Sequence, residues 1–432
     1  MGPVDLDRLA ALRTPEGSAA LAAAGGLAGG DPLAAAAALR SAGVPGDLAA
    51  AALTQAELRR RAQSKFGTAA DGMFFTRAGL EQATRAVVAD RRAARLRAAG
   101  VRTLADLGCG LGADALAAAR AGITVYAVEA DPLTAELAAA NAEAAGLAGL
   151  VTVECADATV VDLDRLGGTG VDAVFCDPAR RRAGTGRRVF DPAAYSPPWD
   201  FVSALAERVP RTVLKVAPGI DHALLPRGAE AEWVSVGGDL VEATIWCGPL
   251  AEVPRRATVL PAGAAGPAGA LRAVGSASAA GPASTARTVG SAGAELVGSG
   301  AVEAGVGAVR RYLYDPDGAV VRAHLVAEFA GLVGGNLADP EIAYVYADAA
   351  VATPFGRCLE VVETLPFSLK RLRALLRERG VGRVEILKRG SAVDPERLRR
   401  DLRLTGDAPA SLVLTRVGGA PTVLVCRPAP AA

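Results

Sequence analysis

The residues best suited by type and spacing to do chemistry form the run Asp106-Leu107-Gly108-Cys109-Gly110-Leu111-Gly112. Glycines there let the main chain turn sharply and let a ligand approach it, and a helix beginning just after them turns its free amides toward that ligand. About 20 residues past the first glycine, Glu129 ends the next apolar run, where a carboxylate accepts hydrogen bonds from two ribose hydroxyls. Gly108, Gly110 and Ala113 also satisfy the G-x-G-x-x-A spacing of dinucleotide sites. Asp106 opposes that alternative: its carboxylate, just before the glycines, repels a pyrophosphate and attracts an ammonium group. Asp157 and Ala158 follow the third apolar run, where an adenine amino group can be read. An ammonium group, a ribose and an adenine together make S-adenosylmethionine, the cofactor this pattern predicts.

The elements that must position these residues follow from periodicity. Residues 1–98 carry Ala, Leu and Arg at helical spacing between the breakers Gly43, Pro45-Gly46 and Gly67, and are expected to form a helical region. Thr54 and Glu57 read as a capping box for a helix through Arg61, and a second helix is expected from Thr76 to near Gly100. Over 99–261, apolar runs at 102–107, 124–128, 151–155, 171–176 and 211–216 alternate with helical stretches, which implies crossover units and a doubly wound parallel sheet. Runs at 232–236 and 241–246 can complete that sheet as a hairpin. Residues 262–306 are Ala, Gly, Ser and Pro with little else, and read as a flexible linker. Residues 307–432 regain order as a small α/β module: strands at 359–364 and 384–387, helices starting at Ser368 and Asp394-Pro395, and a hairpin turning at Gly418-Gly419. The fold class is α/β, a Rossmann-like sheet with an N-terminal helical region and a C-terminal module.

Composition narrows the function. Hydrophobic residues make up 51% of the 432, yet aromatics only 4%, so the apolar content is mostly alanine methyl groups, too small and too interrupted for a membrane span or a secretory signal. The six cysteines form no C-x-x-C pair and only two histidines accompany them, which argues against a zinc site or a disulfide framework and for a reducing, cytoplasmic compartment. With 47 basic against 46 acidic residues, the chain as a whole is not a polycation that coats nucleic acid. Local charge differs. Arg180, Arg181, Arg182, Arg187 and Arg188 make a basic loop that reads either as a phosphate clamp or as a solvated arginine loop. Lys370, Arg371, Arg373, Arg377, Arg379, Arg383, Lys388, Arg389, Arg397, Arg399, Arg400 and Arg403 make the C-terminal module locally positive, the footprint of an RNA-facing surface or of a solvated helix face.

Asp106 to Gly112, Glu129, Asp157 and Asp177-Pro178 resemble the successive motifs of class I S-adenosylmethionine-dependent methyltransferases. The wider arrangement, with Gly79-Leu80-Glu81-Gln82 upstream and Lys388-Arg389-Gly390 downstream, is similar to bacterial methyltransferases bearing a THUMP-like C-terminal domain. Asp177-Pro178-Ala179-Arg180 resembles the motif of enzymes that methylate exocyclic amines. There a carboxylate or amide and a backbone carbonyl accept the amine protons, which implies catalytic roles for Asp177 and Pro178. Ala179 and Arg180 depart from that motif's proline and aromatic, although a guanidinium plane can also stack on a base. The same run is similar to the motif of methyltransferases that make 5-methyluridine. Those need a cysteine nucleophile at the end of the fifth strand, where this chain has Lys215-Val216-Ala217. Cys176 reads as a small buried hydrophobe.

The expectation is therefore a methyltransferase, without a metal, that acts on an RNA base at nitrogen rather than carbon. Arg180, Arg181, Lys215, Lys388 and Arg389 are candidate substrate-binding residues. A small-molecule or protein methyltransferase, or a non-catalytic RNA-binding protein that holds the cofactor, remain the alternatives.

Overall fold

The computed structural model describes residues 5–168, 170–180, 195–262, 285–289 and 293–430. The chain divides into two compact units, the first from Met1–Ala229 and Thr244–Glu252, the second from Glu230–Ala243, Val253–Ala262 and the remaining described residues to the C-terminus. The division falls after Ala229 and again within a strand.

The first unit opens with helices α1 (Leu6–Leu12), α2 (Pro15–Gly25), α3 (Pro32–Ser41) and α4 (Gly46–Phe66). Asp5, Thr14 and Asp31 cap the first three, with proline at the first helical position of α2 and α3, where its missing N–H costs nothing. The buried side of these helices is largely alanine, including Ala20, Ala24, Ala49, Ala52 and Ala56, so close approach of backbones replaces bulk. The capping box expected at Thr54 is not there. Thr54 lies inside α4 and its hydroxyl donates to the Ala50 carbonyl at 2.8 Å, because nothing between Gly46 and Phe66 breaks the helix. The single helix expected after Thr76 is two, α5 (Arg77–Gln82) and α6 (Ala86–Ala98), separated at Ala83, whose backbone is extended.

Five parallel strands follow: β1 (Thr103–Leu107), β2 (Thr124–Glu129), β3 (Val151–Cys155), β4 (Ala173–Cys176) and, after the two-residue pair β5 (Ala179–Arg180) and β6 (Tyr195–Ser196), β7 (Thr212–Val216). Their order is β7-β4-β1-β2-β3. Helices α7 (Ala113–Arg120), α8 (Pro132–Ala144) and α9 (Trp199–Arg208) serve as crossovers. β1 and β4 are buried along nearly their whole length, as strands covered on both faces must be. The chain winds from β1 outward through β2 and β3, then returns to β4 and continues to β7 on the other side. The carboxyl ends of β1 and β4 therefore flank the switch point at which ligands of open α/β sheets bind.

In the second unit, β8 (Glu230–Val236) runs parallel to β10 (Arg255–Leu260), and β12 (Gly293–Gly298) pairs antiparallel with both β10 and β11 (Thr285–Val289). β9 (Asp239–Trp246) contains the second division point. Within the stretch 262–306, expected as a flexible linker, residues 285–289 and 293–298 are strand. Backbone hydrogen bonds suffice to add strands to a ladder, and Leu296 and Glu295 are buried, Glu295 against Arg256. Residues 263–284 lie outside the described residues.

Beyond these, a seven-stranded sheet has the order β14-β15-β13-β16-β19-β18-β17, where β13 is Tyr312–Pro316, β14 Asn336–Leu337, β15 Val345–Ala347, β16 Gly356–Pro366, β17 Val381–Lys388, β18 Ala408–Val417 and β19 Ala420–Pro428. Helices α10 (Gly318–Arg322) and α11 (Val326–Val333) precede β14, while α12 (Leu369–Glu378) and α13 (Pro395–Leu402) flank β17. Alternation decides the faces. Leu412, Leu414, Val423 and Val425 meet Leu372, Leu376, Leu398 and Leu402 of α12 and α13, whereas Val413 and Leu424 meet Leu313, Tyr344 and Tyr346. Each such leucine contributes about 1.5–3 kcal/mol of burial. The hairpin turns at Gly418 and Gly419, both at positive φ, as sequence analysis predicts.

Candidate active site

The glycine loop leaves β1 at its carboxyl end. Gly108 and Gly112 sit at φ +82° and Gly110 at +55°, backbone that side chains other than glycine adopt with strain. The Gly108 and Cys109 amides both donate to the Val128 carbonyl, at 2.9 and 3.0 Å, which pins the loop to the end of β2. A Cβ on Gly110 would meet nothing within 4 Å, so open space lies over the middle of the loop; a Cβ on Gly108 would stand 3.0 Å from the Asp177 carbonyl oxygen. The loop therefore ties the ends of β1 and β4 together by close backbone contact.

Asp106 is completely buried, and neither of its carboxylate oxygens has a hydrogen-bond partner among the described residues. Burial, reinforced by Asp114 and Asp177, holds its pKa well above the ordinary carboxylate range, against the lowering influence of Arg92 and Lys215. A carboxylate left in that state suits a cationic ligand group. Glu129 accepts from the Gly110 amide through one oxygen and from the Asp131 amide through the other, each at 3.0 Å, which fixes its carboxylate beside the loop. Asp157 is exposed; one of its oxygens accepts from the amide and hydroxyl of Thr159, both at 2.8 Å, and these bonds lower its pKa. Ala158, next to it, is buried. The buried Asp106, the open glycine loop and the Glu129 and Asp157 carboxylates held by backbone amides lie along the carboxyl ends of β1, β2 and β3.

Asp177 follows β4, and its carboxylate meets the Lys215 ammonium of β7 at 2.6 Å. Lys215 also donates to the Thr84 hydroxyl at 2.9 Å; Thr84 in turn donates to Asp114 at 2.6 Å, and Asp114 is ion-paired with Arg92. Lys215 reads from the sequence as a substrate residue, while nothing in the sequence marks Thr84, Asp114 or Arg92. Their separation of 131 positions between Thr84 and Lys215 left no sequence signal. Cys176 is fully buried and burial raises its thiol pKa well above the usual value, which fits a packing residue. Phe75 is fully buried and Thr76 caps α5 through the Gly79 amide.

The remaining candidates divide. Arg180 lies in the short β5, and Arg181 lies outside the described residues. In the second unit, Lys388 is exposed and donates to the Val393 carbonyl at 3.2 Å. Arg389 is held by Asp315, at 3.0 and 2.8 Å, and by the Pro316 carbonyl, so part of its donor set serves the module's own structure. Lys370, Arg371, Arg377, Arg383, Arg400 and Arg403 are exposed and make no ion pair among the described residues. No cluster of three or more His, Cys, Asp or Glu suited to a metal occurs among the described residues, and no helix among them is long and apolar enough to cross a membrane.

A parallel sheet of this winding, with an acid-led glycine loop at its switch point, defines a class I methyltransferase fold. Residues 105–179 match the model of the methyltransferase domain, residues 356–428 that of the THUMP domain-like family, and residues 5–62 that of a domain of unknown function. Over 389 residues the chain is 34% identical to an uncharacterized S-adenosylmethionine-dependent methyltransferase of Mycobacterium tuberculosis, covering 86% of this chain and 95% of the relative, with the same figures in two strains. The fold is similar to a crystal structure from Porphyromonas gingivalis W83 named as a candidate methyltransferase, at TM-score 0.64 and 20% identity over 90% of this chain and 92% of that one. The chain belongs to the S-adenosylmethionine-dependent methyltransferase family.

Proposed function

We propose that this enzyme methylates an RNA base, at an exocyclic or ring nitrogen in preference to carbon. The observation that carries the choice of atom is the pair Asp177–Lys215 at the carboxyl ends of β4 and β7. Attack on a pyrimidine ring carbon of the 5-methyluridine kind needs an accessible thiol, but Lys215 occupies the end of the fifth parallel strand and Cys176 is fully buried. When bound, S-adenosylmethionine supplies an electrophilic methyl group on a sulfonium sulfur. The chain's residues hold and orient. Asp106 would face the cofactor's ammonium group, Glu129 its ribose and Asp157 with Ala158 its adenine, while Gly108, Gly110 and Gly112 keep the loop open to it. Lys215 fixes one oxygen of Asp177, and the other has no partner among the described residues. That oxygen and the Pro178 carbonyl would accept the amine protons and aim the nitrogen lone pair at the methyl group, an alignment worth orders of magnitude in rate.

The RNA part of the reading rests on the six exposed, unpaired cations of the THUMP-like module, which suit a polyphosphate chain. Six free thiols suit a reducing compartment, and we place the enzyme in the cytoplasm. The test is transfer of labelled methyl from S-adenosylmethionine to RNA of a strain lacking the gene, with nucleosides identified by mass spectrometry. A methylated amino or ring nitrogen is expected, with Asp177→Ala at least about a hundredfold slower. Label in protein or small molecules alone overturns the RNA reading, and full activity of Asp177→Ala removes the acceptor site.

A further inference from the structure

Lys65, the penultimate residue of α4, donates to the carbonyls of Leu80 at 2.8 Å, Glu81 at 2.8 Å and Ala83 at 2.9 Å, so all three of its protons are engaged. Those carbonyls are the C-terminal end of α5, where backbone acceptors are left over and the helix dipole is negative. α5 stops there, the chain extends at Ala83, and Thr84 falls in the break before α6, where it is buried. The Thr84 hydroxyl has one proton, given to Asp114, so the lone pairs it turns to Lys215 can only accept. Arg92 of α6 pairs with Asp114 and keeps that carboxylate from swinging away. A hydrogen-bonded line thus joins the Lys65 clamp on the 80–84 turn to Asp177, with Lys215 donating both to Thr84 of that turn and to the Asp177 carboxylate.

We propose that Lys65 and Thr84 are positioning residues for the Asp177 carboxylate, acting through Lys215, so that the segment ahead of the methyltransferase sheet completes the acceptor side of the site. The proposal rests on the assignment of Asp177 to the acceptor. A helix end can be capped by an uncharged group or by water. Here it is capped by a partly desolvated ammonium close enough to Lys215 and Arg85 to be repelled by both, with Glu81 opposing; burial foremost and these cations next lower the Lys65 pKa to about 8. Such an arrangement is costly as packing alone, and it sets two ammonium groups on the side of one carboxylate. Lys215 itself faces Asp177, Thr84, Asp106 and Lys65.

The chain has four lysines, Lys65, Lys215, Lys370 and Lys388, so lysine side chains labelled in the full-length protein can be followed one by one by nuclear magnetic resonance. Thr84→Val is expected to move the Lys215 side-chain resonances and its titration midpoint. It should also lower kcat for methyl transfer to RNA from the gene-deleted strain tenfold or more, with S-adenosylmethionine affinity within twofold of wild type; Thr84→Ser should restore both. Lys65→Met should move the same Lys215 resonances, and Lys65→Arg, which keeps charge and donors, should move them less. If Lys65→Met does not fold, the Thr84 pair decides. Lys215 resonances unchanged in Thr84→Val overturn the proposal. So does a full kcat in Asp177→Asn, in which case the hydrogen-bonded line exists but serves no acceptor. Absence of transfer to RNA by the wild-type chain overturns the substrate reading alone, because the lysine resonances report the linkage without turnover.

Discussion

Replacing Asp106 by valine should make the free protein more stable and the cofactor complex much weaker, an opposition that a packing residue would not show. In the free protein the carboxyl group is buried in β1 with no hydrogen-bond partner among the described residues. An unsatisfied buried polar group costs about 1–3 kcal/mol, and valine has nearly the same shape, prefers strands and has nothing to satisfy. The melting temperature should rise by roughly 2–4 °C for each kcal/mol recovered. With S-adenosylmethionine present the order reverses, since loss of a hydrogen bond to a charged group, about 1.5–3 kcal/mol, weakens binding roughly ten- to a hundredfold. The pH dependence separates this cause from others. The folded-state pKa of Asp106 is raised above its unfolded value, so across the window between them the folded chain keeps a proton that the unfolded chain has lost. Its contribution is therefore fully present below the unfolded pKa and is lost as pH rises through the folded one. Wild type should lose stability over that window relative to Asp106→Val, and cofactor affinity should fall as pH drops and the carboxylate is neutralised. Scanning calorimetry of both proteins from pH 4 to pH 8, with titration of S-adenosylmethionine at each end, measures all of this. A variant that melts lower throughout, or that binds the cofactor as wild type does, refutes the reasoning.

Asn141→Leu strands the Phe74 amide, the Phe74 carbonyl and the Leu111 carbonyl, so unfolding in urea should show a loss of at least about 3 kcal/mol. Leu296→Ala tests whether the second half of the alanine- and glycine-rich stretch packs: a cost of about 2–5 kcal/mol by the same method is expected, and none if the strand is ornamental. Reversing charge at Lys370 and Arg371, both exposed and unpaired, should weaken RNA binding at low salt and flatten its salt dependence in a filter-binding assay while cofactor affinity stays put.

The cofactor side of the site was legible because it is local. Asp106 to Gly112 is one loop, and Glu129, Asp157 and Asp177 each follow an apolar run that the alternation of strands and helices makes recognisable. The acceptor side was less so. Lys215 was legible as a departure from the cysteine pattern, but its partner Thr84 comes from a turn that only a break at Ala83 exposes, and an uninterrupted helix is what the alanine-rich sequence predicts there. Composition misled in two places. Thr54 and Glu57 match a capping box in spacing, yet the helix already runs through them. The stretch 285–298 looks like linker because strand pairing draws on backbone groups that glycine and alanine own as fully as valine does. The pairing of Arg389 with Asp315, 74 positions away, carries no mark in the sequence.

The segment Met73-Phe74-Phe75 shows why the N-terminal helices are part of the enzyme rather than an appendage. It has no helix or ladder of its own, so its backbone groups must be satisfied by side chains. Arg59 donates to the Met73 carbonyl at 2.8 Å, Asn141 exchanges two bonds with Phe74, and Gln55 exchanges two with Phe75, at 2.7 and 3.0 Å. Arg59 and Gln55 belong to α4, Asn141 to α8 of the sheet domain, and both amides are completely buried. A side-chain amide carries a donor and an acceptor at fixed spacing, which is what a stretch of extended backbone demands and what alanine cannot give. The second proton of the Asn141 amide goes to the Leu111 carbonyl, within the glycine loop. One side chain thus joins the glycine loop to the segment that leads into α5 and Thr84, so a rearrangement of α4 that shifts Phe74 is expected to reach the loop and the Thr84 turn together.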